Sequence, residues 1–395
     1  MVVFSHGLGG LRNTYSHICG SLASHGAVIV ALEHRDGSAP ISFVRDMNGV
    51  PVKTVEYRQI SHEQTQEVQN ARGEQLKIRL WEIGILHDLL TKIDAGISVN
   101  NFSIAADKVE TNSANQLSMF RNTLNVHDPG SITWAGHSFG AATIVQFIKS
   151  VFYRPSSSTR TTHELLYCPA EQSAIVKQIT PQSAMALLDI WMLPVLNPHM
   201  RWLREKALPT YLRENAVNSN VLAILSEGFF KWQANFIKTR EILSPDPQSR
   251  LSASHARPHI FYAATSAHLS QSDFGILFPI LTRIALKAQE PERTLRLNVR
   301  AILQVMRDNN IEVANTSDLD MDIIRQPSGE HVNEVPKGST STLSQDKNIL
   351  LTNRLVRGWI PIDLDDQWRS HEASNMKMNV SAVPTDVFKE EEAKP

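Results

Sequence analysis

One stretch of the sequence decides the fold. Residues 131–148 read SITWAGHSFGAATIVQFI. The first part is rich in β-branched and aromatic side chains, which is typical of a buried strand, and the last part is apolar and alanine-rich, which is typical of a buried helix. The two parts meet at the glycine-containing segment Gly136 to Gly140. The sequence therefore predicts a strand, a tight turn and a helix in direct succession.

The turn has the Gly-X-Ser-X-Gly pattern of a nucleophile elbow, with Ser138 at its centre. Glycines flank the serine in such a turn because side chains there would collide with the strand and the helix. The N-terminus of the following helix can stabilise a negative oxygen through its free N–H groups. We expect Ser138 to be a nucleophile. The alternative is an ordinary glycine-rich turn between a strand and a helix.

A serine nucleophile needs a base and an orienting acid, which follow it in the chain order Ser, Asp or Glu, His when the serine stands on an elbow of this kind. Asp189 ends the apolar run 184–188, and His268 lies four residues past the apolar run 260–264. Functional groups of parallel sheets gather at the carboxyl ends of the strands, where both residues are expected. We predict Asp189 as the acid and His268 as the base.

Other histidines fit the role of base less well. His255 and His259 precede the apolar run 260–264 and are expected at the opposite end of that strand. His137 lies inside the elbow and points elsewhere if Ser138 is the exposed residue. His268 remains the best candidate because of its position after a strand.

The chain opens with a second glycine-rich turn. The apolar run 1–4 stops at the segment Ser5 to Gly10. In α/β hydrolases the oxyanion hole pairs the N–H after the nucleophile with an N–H from the loop after an early strand. Those groups would belong to Phe139 and Leu8. The loop lacks the third glycine of a dinucleotide fingerprint, because Arg12 stands in its place.

The remaining pattern predicts an α/β protein with a mostly parallel sheet flanked by helices. Residues 14–25 are long enough for a helix between two strand-like runs, and residues 61–94 have helical periodicity. Because a core strand begins at residue 1, we expect the first strands of the fold to be missing. We expect a catalytic domain over residues 1–310 and a polar, partly disordered tail over residues 311–395.

Composition excludes several classes of protein. There are 39 basic and 40 acidic residues, and this balance argues against a nucleic-acid-binding protein. Two cysteines make neither a disulfide framework nor a zinc site, and no motif calls for a metal or another cofactor. No signal peptide and no apolar run of spanning length is visible. We expect a cytoplasmic protein.

Several segments together resemble the platelet-activating factor acetylhydrolase family, the plasma and intracellular type II group: Phe4–Gly10, Glu33–Ala39, Asn70–Gln75, Gly136–Gly140 and Leu188–Met192. The resemblance covers about residues 2–310. It implies an α/β-hydrolase fold and calcium-independent hydrolysis of short or oxidised sn-2 acyl chains from glycerophospholipids. It assigns Ser138 as nucleophile, Asp189 as acid, His268 as base, and the N–H groups of Leu8 and Phe139 as oxyanion donors.

A phospholipid substrate implies contact with a lipid surface. Residues 274–286, just after His268, are mostly apolar. Two readings stay open for this segment: a core helix packed on the sheet over most of its length, or a helix with one exposed face that dips into the lipid surface as a peripheral membrane contact, the role that the resemblance implies for a helix after the histidine. We expect Leu277 and Phe278 to lie nearer the surface than Ile284. Two alternatives to a lipid esterase stay open, namely a general carboxylesterase for small soluble esters and a catalytically impaired lipid-binding protein. The sequence does not predict the oligomeric state.

Overall fold

In a computed structural model, the chain forms a parallel sheet covered by helices on both faces. The structure describes residues 1–101, 117–155, 165–213, 219–245, 257–316, 347–352 and 356–364. Most of the predicted tail lies outside the described residues, and so do most of the Ser/Thr-rich segment 154–162 and His255.

Seven strands make the main sheet in the order β2-β1-β5-β6-β7-β8-β9, and β3 and β4 form a separate antiparallel hairpin. All neighbours in the main sheet are parallel except β9, which runs antiparallel to β8. The strands are β1 (Val2–Ser5), β2 (Ile29–Ala31), β3 (Ile41–Arg45), β4 (Pro51–Glu56), β5 (Thr133–His137), β6 (Met185–Leu188), β7 (Val221–Ser226), β8 (His259–Ala263) and β9 (Trp359–Pro361).

The helices lie between the strands along the chain. The α-helices are α1 (Ser16–Ser24), α2 (Gln66–Asp94), α3 (Phe139–Phe152), α4 (Ala174–Gln178), α5 (Arg201–Arg204), α6 (Glu227–Lys231), α7 (Gln233–Leu243), α8 (Phe274–Leu277), α9 (Pro279–Leu286) and α10 (Pro291–Asp308). Short 3₁₀ helices span Arg12–Tyr15, Leu117–Phe120, Leu193–Val195, Pro198–Met200, Pro209–Leu212, His268–Gln271 and Lys347–Leu350.

The sheet separates two hydrophobic cores, because successive side chains of a strand point to opposite faces. One core contains Val3 and Trp134 and packs against α2 and α3. The other contains Phe4 and Ala135 and packs against α1 and α10. Strands buried on both faces read as continuous apolar runs, and for this reason the sequence showed them clearly.

The predicted α/β class with a mostly parallel sheet is confirmed. The predicted strands at 1–4, 27–32, 131–135, 184–188 and 260–264 are all present, as is the helix within 61–94. Two strands of the main sheet were not predicted. β7 lies between the strands that precede Asp189 and His268, and β9 comes from residues 359–361, beyond the predicted boundary at residue 310.

The reading of residues 274–286 as a core helix is wrong, and the alternative of an exposed apolar face fits the structure. The segment forms α8 and α9, and α9 buries only Thr282 instead of packing along the sheet. Ile284 is 73% exposed, more than Leu277 at 68% and Phe278 at 49%, so the expected order of exposure is also wrong. The physical reason is that α10 occupies the place on the sheet, where it contributes to one of the two cores.

No helix among the described residues is both long enough and apolar enough to cross a membrane.

A lysine is buried inside the core at the far end of α3. Lys149 is 1% exposed, and its ammonium group donates to the carbonyl of Arg204 at 3.0 Å. Burial, together with the nearby charge of Arg204, lowers the pKa of Lys149 from 10.5 to about 7. Between about pH 7 and 10.5, Lys149 is therefore mostly neutral in the folded protein and protonated in the unfolded chain.

We predict that Lys149→Met raises stability near neutral pH. Between about pH 7 and 10.5 the wild type should gain stability from this site at on the order of 1.4 kcal/mol per pH unit, because only the unfolded state is protonated there. The advantage of the variant should therefore shrink as the pH rises. Urea unfolding at pH 6.5, 8 and 9.5 measures it, with the exposed Lys77→Met as control. A difference that does not change with pH would contradict the prediction.

Candidate active site

The elbow between β5 and α3 holds Ser138 in a strained backbone conformation. Its φ is 54° and its ψ is −115°, which non-glycine residues rarely adopt. The flanking glycines make this turn possible. A Cβ placed on Gly136 would lie 2.5 Å from the carbonyl carbon of Gly140, and one placed on Gly140 would lie 1.9 Å from the carbonyl oxygen of Ser5. Any side chain at either position would collide with backbone.

The loop after β1 lies against this elbow. A Cβ on Gly7 would be 3.2 Å from the Cβ of Ser138, so the loop passes directly beside the serine. The N–H groups of Gly7 and Gly9 donate to the hydroxyl of Tyr15 at 2.9 Å and to the carbonyl of Ser38 at 2.8 Å. Leu8 lies between these two anchored residues. Within the described part of the chain its N–H has no acceptor.

Phe139 supplies a second N–H of this kind. It is the first residue of α3, and the first N–H groups of a helix have no partner within the helix. Among the described residues no acceptor bonds to the N–H of Phe139. The structure thus brings the loop of Leu8 and the helix start at Phe139 to the same serine. The oxyanion role of both residues stays a prediction.

Asp189 and His268 are brought together from the ends of two strands. Asp189 follows β6 with a positive φ of 43°, is fully buried, and accepts a hydrogen bond from the N–H of Ser226 at 2.6 Å. Its other carboxylate oxygen is 2.9 Å from Nδ1 of His268, which begins the 3₁₀ helix after β8. Ser226 ends β7, so the unpredicted strand supplies part of the carboxylate's support.

The ring of His268 lies between two other rings. The Phe229 ring stacks on it with centroids 4.3 Å apart and planes 14° apart. The His137 ring lies 4.4 Å away. His137 Nδ1 is 2.9 Å from the Tyr15 hydroxyl, which also accepts from Gly7 N–H. A phenol that accepts one hydrogen bond and donates another thus links the Leu8 loop to the elbow.

Burial sets the charges in this cluster. It raises the pKa of Asp189, although the hydrogen bonds from His268 and Ser226 act in the opposite direction. It lowers the pKa of His137 well below its usual value, and the nearby His268 lowers it further. His137 is therefore neutral at physiological pH. Its Nδ1 then accepts the hydrogen bond that the Tyr15 hydroxyl donates.

Ser138 lies beside this cluster without a hydrogen bond from its hydroxyl to His268 among the described contacts. Its backbone N–H donates to the Leu188 carbonyl at 2.8 Å, next to Asp189. Contacts between a catalytic serine and its base are often long in unliganded enzymes and shorten when substrate binds. The ligating atoms of His137, Asp189 and His268 lie within 4.8 Å of one another, close enough to hold a metal ion. Two of these side chains are already hydrogen-bonded to each other.

Sequence reasoning missed several residues that surround the predicted five. The Tyr15 hydroxyl accepts from Gly7, Ser226 donates to Asp189, and Phe229 stacks on His268. The apolar run 221–225 before Ser226 could have revealed β7. No local pattern marks a tyrosine or phenylalanine as a neighbour of a distant loop.

Comparisons with known proteins show which proteins this chain is similar to. The family model "Platelet-activating factor acetylhydrolase, isoform II" matches residues 1–323. A Schizosaccharomyces pombe protein named "Putative phospholipase A2" is 32% identical over 78% of this chain and 68% of its own length. The platelet-activating factor acetylhydrolases of Gallus gallus and Canis lupus familiaris are 28% and 34% identical over 64% and 37% of this chain.

The matched segments span only part of the vertebrate relatives. They cover 49% of the Gallus gallus enzyme and 31% of the Canis lupus familiaris enzyme. The similarity therefore supports the same fold rather than every property of those longer proteins.

We predict that Gly140→Ala abolishes the native elbow. The new methyl group would overlap the Ser5 carbonyl, so either β1 or α3 must move and stability should fall by several kcal/mol, at or above the upper end of the usual range for overpacking. The matched control is Gly20→Ala in α1, where nothing lies within 4 Å. That change should stabilise by up to about 1 kcal/mol through helix propensity. Thermal unfolding compares the two, and equal melting temperatures would refute the prediction.

Proposed function

Because this chain belongs to the platelet-activating factor acetylhydrolase, isoform II, family, whose members are carboxylic ester hydrolases, we propose that it is a serine esterase acting on glycerophospholipids. The observation that carries the proposal is the convergence of Ser138 on a strained elbow, the bonded pair Asp189 and His268, and the unpaired N–H groups of Leu8 and Phe139. This arrangement suits acyl transfer through a covalent intermediate.

In the proposed mechanism, Ser138 Oγ attacks the sn-2 carbonyl while His268 Nε2 takes its proton. The electron pair of the carbonyl moves onto its oxygen, which the N–H groups of Leu8 and Phe139 stabilise. His268 then protonates the departing glycerol oxygen and leaves an acyl-enzyme. Water, deprotonated by His268, attacks this acyl group and releases the carboxylic acid.

Asp189 supports His268 throughout this cycle. Its carboxylate accepts from Nδ1, which keeps Nε2 free to take a proton, and it stabilises the imidazolium that forms. Loss of one oxyanion donor in such sites costs about 3 kcal/mol in the transition state. Because two N–H groups supply this stabilisation, the proposed mechanism needs no calcium ion.

We propose short or oxidised sn-2 acyl chains as the substrate class. The acetyl group is the shortest of these, and the names of the relatives support it. A general carboxylesterase for small soluble esters is the second candidate, because the same catalytic groups would serve it. A catalytically impaired lipid-binding protein is a third reading. The catalytic groups at the site support an active enzyme more strongly than they support an impaired lipid-binding protein.

The exposed apolar face formed by α8 and α9 favours a lipid substrate over soluble esters. Leu277, Ile280, Leu281 and Ile284 are each more than half exposed, and they follow His268 closely in the chain. Apolar side chains exposed together beside an active site commonly mark a surface that binds lipid or protein. An amphipathic helix of this kind can lie in the membrane interface without crossing it.

We expect Ser138→Ala to abolish labelling by a fluorophosphonate probe and to leave the melting temperature close to that of the wild type. Asp189→Asn should lose most of kcat, about 10⁴-fold in a comparable triad, because the wrong tautomer of His268 would face Ser138. Turnover is measured with phospholipids of increasing sn-2 chain length and with a p-nitrophenyl ester. Strong labelling of Ser138→Ala would reject the nucleophile, and wild-type turnover by Asp189→Asn would reject the acid.

We also expect the exposed face of α8 and α9 to be needed for phospholipid but not for soluble esters. The variant Leu277→Ser, Ile280→Ser, Ile284→Ser should bind phosphatidylcholine vesicles more weakly and hydrolyse vesicle substrate more slowly, because it loses apolar area that would insert into lipid. Hydrolysis of p-nitrophenyl acetate should stay near wild type. Met119→Ser, which removes an exposed apolar side chain elsewhere, is the control. Equal loss of both activities would refute the lipid role.

A further inference from the structure

We propose that Arg79 is the positioning residue of the oxyanion hole, holding the loop of Leu8 and the start of α3 at Phe139 in a fixed relation to each other. This inference rests on the proposed esterase function. Arg79 lies on α2, far from the elbow in sequence, and is fully buried. Its contacts among the described residues include no proposed catalytic side chain, so it would act only through the residues that carry the two N–H donors.

Arg79 bonds directly to the loop that carries Leu8. Its Nη1 donates to the carbonyl oxygen of His6 at 2.9 Å. His6 is two residues before Leu8, at the point where β1 ends and the loop begins. A hydrogen bond from a charged donor to a buried carbonyl is stronger than one from a neutral donor, and it fixes the direction in which the loop leaves the strand.

The same guanidinium covers the ring of Phe139. Its central carbon lies 4.0 Å from the ring centroid, which is a close cation–π contact between two fully buried groups. Thr143 secures the backbone here, since its hydroxyl donates to the Phe139 carbonyl at 2.8 Å. One planar group thus contacts both segments whose N–H groups would bind the oxyanion.

Two further partners hold the guanidinium itself in place. Nε donates to the carboxylate of Asp36 at 2.7 Å, and Nη2 donates to the hydroxyl of Ser38 at 2.5 Å. The backbone carbonyl of Ser38 also accepts from Gly9 N–H at 2.8 Å. The group of residues around Arg79 therefore anchors the loop on both sides of Leu8, at His6 before it and at Gly9 after it.

Asp36 is charged in this arrangement. Burial opposes its ionisation, but the positive charge of Arg79, the neighbouring His34 and the hydrogen bond from Ser38 outweigh burial and lower its pKa to about 2. The buried carboxylate orients the guanidinium through its bond to Nε. A lysine at position 79 would keep the charge, but it lacks the planar fork that reaches Asp36, Ser38 and the His6 carbonyl together.

The test uses two variants, because removal of Arg79 alone would leave the buried Asp36 without its cationic partner. Arg79→Lys keeps the charge, and Arg79→Met with Asp36→Asn removes both charges. An alkyl trifluoromethyl ketone serves as the probe. Its carbonyl carbon bonds to Ser138 Oγ, the serine proton passes to His268, and the carbonyl oxygen becomes an oxyanion that the two N–H groups bind.

We expect both variants to lose kcat on p-nitrophenyl acetate by about 10- to 100-fold, less than or comparable to the loss of one oxyanion donor, with KM little changed. The dissociation constant of the trifluoromethyl ketone should rise by a similar factor, because that ligand also depends on the oxyanion hole. Val151→Ala, at the distant end of α3, controls for a simple loss of core packing. It should lower the melting temperature without changing kcat or ketone affinity.

The positioning role would be overturned if the two Arg79 variants kept wild-type kcat and ketone affinity. The esterase function would stand in that case, provided that turnover by the wild-type protein depends on Ser138. A parallel loss of kcat and ketone affinity in Val151→Ala would also overturn it, because the effect would then follow from stability alone. Absence of Ser138-dependent turnover and labelling in the wild type would overturn both proposals.

Discussion

The candidate active site depends on one close backbone contact, the approach of the first turn of α3 to the end of β1. No side chain separates Gly140 from the carbonyl of Ser5, so the free N–H groups at the helix start lie beside the loop that follows β1. The same contact leaves Ser138 in a backbone conformation that costs about 1 to 3 kcal/mol. The core that α3 forms with β1 and β5 is large enough to offset this cost, so the strain persists where the proposed chemistry occurs.

A buried polar network lies behind this site. Apolar side chains in its place would avoid the free-energy cost of desolvating buried charges. Asp36 and Arg79 form an ion pair with both side chains fully buried, and His34 and Glu82 form a second bonded pair beside them. Buried ion pairs seldom contribute net stability, because desolvation cancels most of their attraction. Their value here is directional, since each one fixes a carbonyl or an N–H of the loops after β1 and β2. Such a network suits a site that must hold backbone donors still while a charge forms.

Local patterns predicted five strands of the main sheet, α2 and the elbow; prediction missed β7 despite its apolar run, and otherwise failed where distant partners decide. The apolar period of α2 was read correctly, but Arg79 and Glu82 on this helix face inward while Trp81 and Ile85 are exposed. Periodicity shows which residues share a face, not which neighbour that face meets. The strand β9 pairs with β8 from nearly a hundred residues away, which no local signal records. The apolar composition of α9 was likewise compatible with a core helix.

The surroundings of His268 explain why His137 can lie inside the elbow without opposing the role of His268 as a base. An imidazolium must form on His268 in the proposed reaction, and another cation 4.4 Å away would oppose it strongly in a buried site. Burial keeps His137 neutral, and the Tyr15 hydroxyl satisfies its Nδ1. A neutral imidazole is a dipole rather than a charge, so it can pack against His268 and restrict the ring from one side while Phe229 restricts it from the other. The orientation of the ring that bonds Asp189 therefore follows from packing as much as from the carboxylate.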